Sequence, residues 1–112
     1  MEEAPAKITY EQFSKLEIRI AKILHAEKVE GSDKLLRLEI DLGTEKRQLV
    51  AGLAQQYTPE EIIGKQIPVI ANLEMRKIRG IESNGMILAA DDNGKPVILQ
   101  PQREVPNGAK VF

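Results

Sequence analysis

The amino-acid sequence predicts a mainly β fold, a small barrel built from five or more short strands. Three observations lead to this prediction. Apolar and polar residues alternate over several short runs, and the two segments with helix-start signals are each only a turn or two long. Asn-Gly pairs, which favour tight turns, occur at residues 84–85, 93–94 and 107–108. A short chain dominated by strands is typical of a single sandwich or barrel.

Length and composition indicate one globular domain. The chain has 112 residues, of which 42% are hydrophobic and 29% are charged, as in ordinary soluble domains. No apolar run approaches the ~18–20 residues of a membrane span, and the N-terminus lacks a signal-peptide pattern. We therefore expect no membrane association and a cytoplasmic location. Residues 1–7 are expected to form a flexible leader, and residues 8–112 the folded domain.

The first elements follow from capping and alternation. Thr9 begins a capping box with Gln12 and predicts a helix from about Tyr10 to Leu16, whose apolar face should pack on the core. That face consists of Tyr10, Phe13 and Leu16. A strand should run from Ile18 to Leu24, and its in/out pattern shifts near Ala21, which predicts a bulge there.

The next segments give the clearest strand signal in the chain. Residues 29–34 read as a loop. Leu36, Leu38, Ile40 and Leu42 then alternate with Arg37, Glu39 and Asp41, so this strand should have one buried and one wet face. Residues 43–46 connect it to a third strand at residues 47–51.

A second brief helix separates the third strand from the fourth. Thr58 and Pro59 form its start and Gly64 its end. Residues 67–73 follow as a strand in which Pro68 implies an unpaired backbone position. The Asn93-Gly94 turn then joins residues 86–90 to residues 96–100 in a hairpin. A helix between strands three and four favours an oligonucleotide-binding (OB) type of barrel.

The inventory of reactive residues argues against an enzyme. The chain has no cysteine, which excludes a disulfide scaffold, a thiolate zinc site and a cysteine nucleophile. With His25 as the single histidine, a multi-histidine metal site is impossible within one chain. Ser83 lacks the glycine context of a catalytic serine, and the Gly80–Gly85 stretch is followed by Met86 where a phosphate loop needs lysine. We expect no catalytic residue, no metal and no cofactor.

A cluster of cations follows the fourth strand. Arg76, Lys77 and Arg79 fall within four residues, with Asn72 and Ser83 nearby as neutral hydrogen-bonding groups. Cations position a phosphate backbone, and neutral polar groups contact sugars, phosphates or base edges. A second set lies on or beside the first two strands, which help to form the binding face of an OB barrel: Arg19, Lys22, Lys28, Lys34 and Arg37. A merely solvated, charged loop is the alternative interpretation.

The aromatic residues restrict which nucleic acid would fit. The chain has only two tyrosines and two phenylalanines, and none lies in a confidently predicted barrel strand. Proteins that bind single strands without sequence preference stack bases on aromatic side chains. Recognition of a folded RNA by shape, phosphates and 2′-hydroxyls is therefore the better match.

Several segments together resemble the tRNA-binding domain family. The segments are residues 17–24, 31–36, 50–53, 57–65 and 72–90, and the most specific is Arg-Lys-Ile-Arg-Gly-Ile-Glu-Ser-Asn-Gly-Met at residues 76–86. The family includes the C-terminal domain of methionyl-tRNA synthetase, its free-standing beta subunit, stand-alone tRNA-binding proteins and the CsaA chaperones.

The resemblance implies an OB-fold with C-terminal strand additions that binds tRNA by shape and has no catalytic role. It also implies a homodimer formed around the terminal segments, and a methionyl-tRNA synthetase catalytic chain as a possible partner. The residue pattern and the resemblance together predict these tRNA-binding positions: Arg19, Lys22, Lys34, Asn72, Arg76, Lys77, Arg79, Ser83 and Met86. Glu74 departs from the family pattern, because relatives often carry lysine there.

A peptide-binding chaperone of the CsaA kind is the main alternative function. Such a protein needs an exposed apolar cleft, and Ile70, Met75, Ile78 and Met86 are the candidates to line it. An enzyme with an undetected site is a more distant alternative.

Overall fold

The computed structural model describes residues 4–112 and confirms the predicted mainly β fold. Its elements in chain order are α1 (Tyr10–Ser14), β1 (Ile18–Lys28), β2 (Leu36–Asp41), β3 (Lys46–Ala51), α2 (Pro59–Ile62), β4 (Gln66–Ile70), β5 (Arg76–Ile78), β6 (Ile81–Ser83), β7 (Met86–Ile87), β8 (Ala89–Asp92) and β9 (Lys95–Ile98). Five strands form one antiparallel sheet in the order β3-β2-β1-β4-β7, while β5–β6 and β8–β9 are separate two-stranded hairpins. In the described residues, no helix is long and apolar enough to cross a membrane.

The core lies on the inner face of this curled sheet. Leu36, Leu38 and Ile40 of β2 are completely buried, whereas Arg37 and Glu39 between them keep contact with solvent. The period-two pattern of the sequence therefore correctly predicts which face of β2 points inward. The α2 helix closes the core with its buried Ile62, and Thr58 forms the predicted capping box at its start.

The bulge in β1 lies at Leu24, three residues beyond the position predicted at Ala21. The register between β1 and β2 shifts between Ile23 and His25. Ile20 and Ala21 point to opposite faces, yet both are buried. Ala21 belongs to the core, while the C-terminal segment covers the other face of β1 around Ile20. The change in the apolar pattern near Ala21 thus reflects a second covered face and no backbone irregularity.

The C-terminal segment, residues 105–111, occupies the edge of β1 that β2 leaves free. Because β2 pairs only with residues 22–28, Ile18 and Ile20 form backbone hydrogen bonds elsewhere. The Ile20 amide donates to the Ala109 carbonyl at 2.8 Å, and the Ile20 carbonyl accepts from the Gly108 amide at 2.6 Å. Pro68 faces Ile20 across β1 and β4, so its missing N–H falls at a pair whose partner is already satisfied.

The buried side chain of Gln66 fastens this segment to the sheet. Its Nε2 donates to the Val105 carbonyl at 2.6 Å and to the Asn107 side-chain oxygen at 2.9 Å, and its Oε1 accepts from the Val105 amide at 3.1 Å. Gly108 has a φ of +90° and packs so closely that an added Cβ would collide with the Leu42 carbonyl. Backbone contact of this kind requires glycine.

The prediction for the first helix is partly wrong. Thr9 forms the expected capping box with Gln12, but the helix ends at Ser14 instead of Leu16. Tyr10 is 82% exposed, and Phe13 and Leu16 are also exposed, so this face does not pack on the core as predicted. Helical spacing predicts that an apolar face exists, but it does not predict what that face packs against. Both faces of β1 are already covered near Ile20 and Ala21, so the helix face stays exposed.

A further prediction concerns the N-terminal residues. Ala4 to Lys7 are exposed and form neither helix nor strand. The rest of the predicted leader, residues 1–3, lies outside the described residues, so the flexible leader stays a prediction.

The Asn93-Gly94 turn forms the expected hairpin, although its strands are shorter than predicted and comprise β8 and β9 only.

Replacing Leu38 by alanine should destabilise the domain by about 2–5 kcal/mol, because the substitution leaves a cavity in the centre of the core. Urea unfolding followed by circular dichroism measures this loss. Leu24→Ala is the matched control, because Leu24 is 38% exposed and its truncation should cost less than about 1 kcal/mol. Equal losses in the two variants would contradict the assigned core.

Candidate nucleic-acid interface

The β5–β6 hairpin carries the predicted basic cluster on its surface. Its register pairs Arg76 with Ser83, Lys77 with Glu82, and Ile78 with Ile81. The side chains of Arg76, Lys77 and Arg79 are exposed. The pairing leaves Arg79 and Gly80 as a two-residue turn at the tip.

Arg79 adopts a backbone conformation that arginine does not favour. Its φ is +51°, and that of Gly80 is +79°, so both turn residues have the positive φ of a type I′ hairpin turn. The β8–β9 hairpin forms the same kind of turn with Asn93 and Gly94, at φ values of +52° and +85°. Asparagine tolerates this region far better than arginine. Since such strain concentrates at functional positions, Arg79 is a candidate contact residue.

Ser83 lies beneath the hairpin and not on its surface. It is 2% exposed, and its hydroxyl accepts a hydrogen bond from the Val50 amide at 3.0 Å. The Asn84 amide donates to the Gln48 carbonyl at 2.9 Å, and the Gln48 side chain donates to the Glu82 carbonyl at 2.8 Å. These bonds close the barrel between β3 and the end of the hairpin. Ser83 therefore positions the basic cluster, while its own contact with RNA remains a prediction.

The loop at residues 29–35 lies beside the tip of the hairpin. Arg79 Nη1 is 3.9 Å from the place where a Cβ on Gly31 would stand. Within this loop, the Ser32 hydroxyl accepts from the Lys34 and Leu35 amides at 3.3 and 3.2 Å. The exposed Lys34 is thus carried by a fixed loop next to the Arg79 tip. The structure brings these two predicted positions into one region.

A groove of about 270 Å³ lies at the base of the hairpin. Arg76 and Met86 both line it, with Ile78 and Val50 among the apolar residues around them. Met86 is 40% exposed, which leaves its thioether open to an apolar contact. Of the four residues predicted to line a peptide cleft, Ile78 and Met86 meet here. Ile70 is buried, and Met75 is exposed outside this lining.

Arg19 and Asn72 lie elsewhere, at a polar pocket of about 390 Å³. Arg19 donates to the Gly108 carbonyl at 3.0 Å and bonds the Glu17 carboxylate at 3.2 Å. The Asn72 amide donates to the Lys15 carbonyl at 2.6 Å, and its oxygen accepts from the Glu17 amide at 2.8 Å. Both side chains hold chain segments together, so the structure does not bring them to the hairpin.

The charge of Arg37 is compensated on the outer face of β2. Its guanidinium contacts Glu27 at 2.6 Å, Glu39 at 3.0 Å and the Gln48 side-chain oxygen at 3.0 Å. The hydrogen bond and charge of Arg37 hold the pKa of the Glu27 carboxyl below its ordinary value. Because these carboxylates neutralise its charge, Arg37 adds little positive field on this face.

Lys22 lies in a third place, a groove that also contains Lys65 and Arg103. Lys65 and Arg103 are not among the positions that the sequence predicts for binding. They are far apart in the chain, and no motif indicates that the C-terminal segment returns to the start of β4. Within residues 4–112, no group of three or more histidine, aspartate and glutamate side chains could hold a metal ion.

Comparison with known proteins identifies a family whose model matches most of the chain. The family model described as "Putative tRNA binding domain" matches residues 18–110. A methionine–tRNA ligase of Methanothrix thermoacetophila is 55% identical over 104 residues, which are 93% of this chain and 15% of that enzyme. The corresponding enzyme of Thermotoga maritima is 58% identical over 104 residues, 93% of this chain and 16% of the enzyme. The chain thus spans about one-sixth of the length of these curated relatives.

Solved structures share the fold over nearly the whole chain. A MetRS-related protein from Pyrococcus horikoshii superposes with a TM-score of 0.91 at 35% identity, covering 96% of this chain and 100% of that one. The chaperone CsaA from Bacillus anthracis superposes with a TM-score of 0.87 at 35% identity, with the same coverage.

Replacing Ser83 by alanine should destabilise the protein by about 1–3 kcal/mol, because the buried Val50 amide would lose its acceptor. Chemical denaturation measures the loss, and hydrogen exchange at the Val50 amide should accelerate. Ser14→Ala is the control, since its exposed hydroxyl bonds only to the Glu11 carbonyl within its own helix. A Ser83 variant as stable as the Ser14 variant would refute the closing role.

Proposed function

This chain belongs to the tRNA-binding domain family, and from that premise we propose that it binds folded tRNA through the β5–β6 hairpin and the loop at residues 29–35. The single observation that carries this proposal is the conformation of Arg79, an exposed arginine held at positive φ at the hairpin tip. OB barrels bind nucleic acids with the loop between their first two barrel strands and the loop between their fourth and fifth barrel strands. In this chain the five barrel strands are β1, β2, β3, β4 and β7. The loop at residues 29–35 joins β1 to β2, and the β5–β6 hairpin lies between β4 and β7.

The proposed recognition reads shape and backbone, and not base sequence. Exposed Lys34, Lys77 and Arg79 suit phosphate oxygens, and the hairpin backbone suits ribose hydroxyls. The aromatic side chains are not placed to stack bases at this site. Tyr57, for example, uses its hydroxyl to accept from the Ile98 amide at 3.0 Å. Met86 supplies an apolar contact, and Arg76 a cation, at the groove below.

We further propose a non-catalytic, auxiliary role in the cytoplasm. The relatives are whole methionine–tRNA ligases, of which this chain matches about one-sixth. A module of this kind would act as the beta subunit of a methionyl-tRNA synthetase, or stand alone. Beside a catalytic chain, it would raise the effective concentration of tRNA at the active site without contributing to the chemistry.

The double variant Lys77→Ala/Arg79→Asn tests the hairpin directly. Asparagine suits the tip conformation, so the variant should be at least as stable as the parent protein, or more stable by up to about 1 kcal/mol. Loss of two phosphate contacts should nevertheless weaken tRNA binding by about tenfold or more at moderate salt. Filter binding measures affinity, and thermal unfolding checks the fold.

A charge-matched control separates local contacts from net charge. Lys15→Ala/Lys95→Ala removes two exposed lysines outside the hairpin and the adjoining loop, and it should leave the tRNA affinity nearly unchanged. If the hairpin variant bound tRNA as tightly as this control, the assignment of the hairpin would be refuted.

We propose that a second copy of the chain covers an apolar groove at the C-terminal side. This groove of about 420 Å³ includes Ile20, Pro68, Leu99 and Phe112, and the Phe112 side chain is 97% exposed. Covering such a surface is favourable because it removes apolar area from water. A two-fold dimer would also present two hairpins to RNA.

Sedimentation equilibrium tests this dimer. The wild-type chain should sediment at twice its monomer mass, and Leu99→Ser/Phe112→Ser should shift it toward the monomer. Val97→Ser is the control, because Val97 is an exposed apolar residue outside the groove and its change should leave the dimer intact. A wild-type monomer at all micromolar concentrations would contradict the proposal.

A CsaA-like peptide-binding chaperone is the second candidate function. The apolar residues Ile78 and Met86 in the 270 Å³ groove, together with the similarity to CsaA, favour it. Saturable binding of unfolded client peptides, with no retention of tRNA, would support the chaperone and contradict the primary proposal.

A further inference from the structure

A polar groove of about 350 Å³ lies between the start of β4 and the C-terminal residues 100–104. Its lining contains three cations, Lys22, Lys65 and Arg103, and a single carboxylate, that of Glu104. Gln100 and Gln102 add neutral amide groups. The groove is concave and positively charged, and it lies apart from the hairpin site.

The sheet and the Gln66 side chain fix the walls of this groove. Lys22 of β1 lies opposite Gln66 of β4 in the strand register, which places Lys22 next to Lys65. The buried Gln66 amide holds Val105, and so anchors the stretch that carries Arg103. The three cations therefore come together through tertiary contacts, and their arrangement does not depend on a ligand.

These cations differ from the arginines of the neighbouring polar pocket. There, Arg19 pairs with Glu17, and Arg47 pairs with Glu45 and with the Ala71 carbonyl. In the groove, no carboxylate of residues 4–112 lies within 4.0 Å of the charged nitrogens of Lys22, Lys65 or Arg103. The Glu61 carboxylate interacts with Lys65 from a longer distance, and Glu104 lies in the lining, so the three cations exceed the carboxylates around them. An excess of positive charge in a concave site attracts anions.

We propose that this groove is a second contact surface for the phosphate backbone of the bound RNA, with Lys22, Lys65 and Arg103 as its cations. The inference rests on the proposed tRNA-binding function and extends it to residues outside the hairpin. Lys22 and Lys28 are separated by about 20 Å of strand, and the loop beside the hairpin tip follows Lys28. A folded tRNA is larger than this separation and can contact both surfaces at once.

Salt-dependent tRNA binding by Lys65→Gln/Arg103→Gln tests this inference. Glutamine keeps most of each aliphatic stem and removes the charge, so the fold and the oligomeric mass should not change. The slope of log K against log salt is negative, and each lost phosphate contact reduces its magnitude by about 0.7–0.9, so the magnitude for the double variant should be smaller by about 1.4–1.8. Its affinity for whole tRNA should fall by about tenfold.

Lys15→Gln/Lys95→Gln is the charge-matched control and should retain the wild-type slope. If wild-type protein binds tRNA but the groove variant behaves like this control, the second surface is refuted while the hairpin site stands. An affinity loss with an unchanged slope would also overturn the inference, because it would indicate an indirect effect on folding. If the wild-type protein does not bind tRNA, the proposed function itself fails, and the inference fails with it.

Discussion

The structure depends most on how its barrel closes, and the hydrogen bond from the Val50 amide to the Ser83 hydroxyl is central to that closure. The β7 strand pairs with β4 over only two residues, so a regular ladder does not complete the barrel on this side. Ser83, together with the bonds of Gln48 to Asn84 and Glu82, joins the last part of β3 to the hairpin instead. The contacts that satisfy buried backbone groups thus also hold the basic hairpin in place.

The same principle operates along β1, where the C-terminal segment takes over the pairing that β2 does not reach. Here the Gln66 side chain holds residues 105–107, an irregular segment, against the sheet. This segment leads into the residues that make this pairing with β1. In both places, a buried polar side chain does what a longer strand would do in a regular sheet. Burial of such a group is favourable only when its hydrogen bonds are made, so these fastenings leave little freedom for alternative positions. The cations next to them are consequently carried on well-defined backbone.

Local sequence signals predicted those parts of the fold that local physics determines. The alternation in β2, the capping boxes at Thr9 and Thr58, and the Asn93-Gly94 turn each depend on residues close together in the chain. Tertiary contacts determine the rest. The exposure of Tyr10 and the burial of both Ile20 and Ala21 depend on what covers β1, which periodicity does not show.

The candidate site likewise has some features that local sequence determines and others that tertiary contacts determine. The exposed cations of the hairpin could be found from their spacing, because three charges within four residues cannot all be buried. Their hydrogen-bonding capacity makes Ser83 and Asn72 candidates, but the sequence does not reveal that their partners are backbone groups of this chain. No local pattern in the sequence indicates that Lys65 and Arg103 share a groove, because only the folded position of the C-terminal segment brings them together.

The affinity of the wild-type protein for whole tRNA, measured as a function of salt beside an unstructured RNA of equal length, tests the central claim most directly. Recognition by shape and phosphate contacts predicts tight binding to tRNA, weak binding to the unstructured RNA, and a log–log slope of several units. Absence of tRNA binding at low salt, where electrostatic attraction is strongest, would contradict the account.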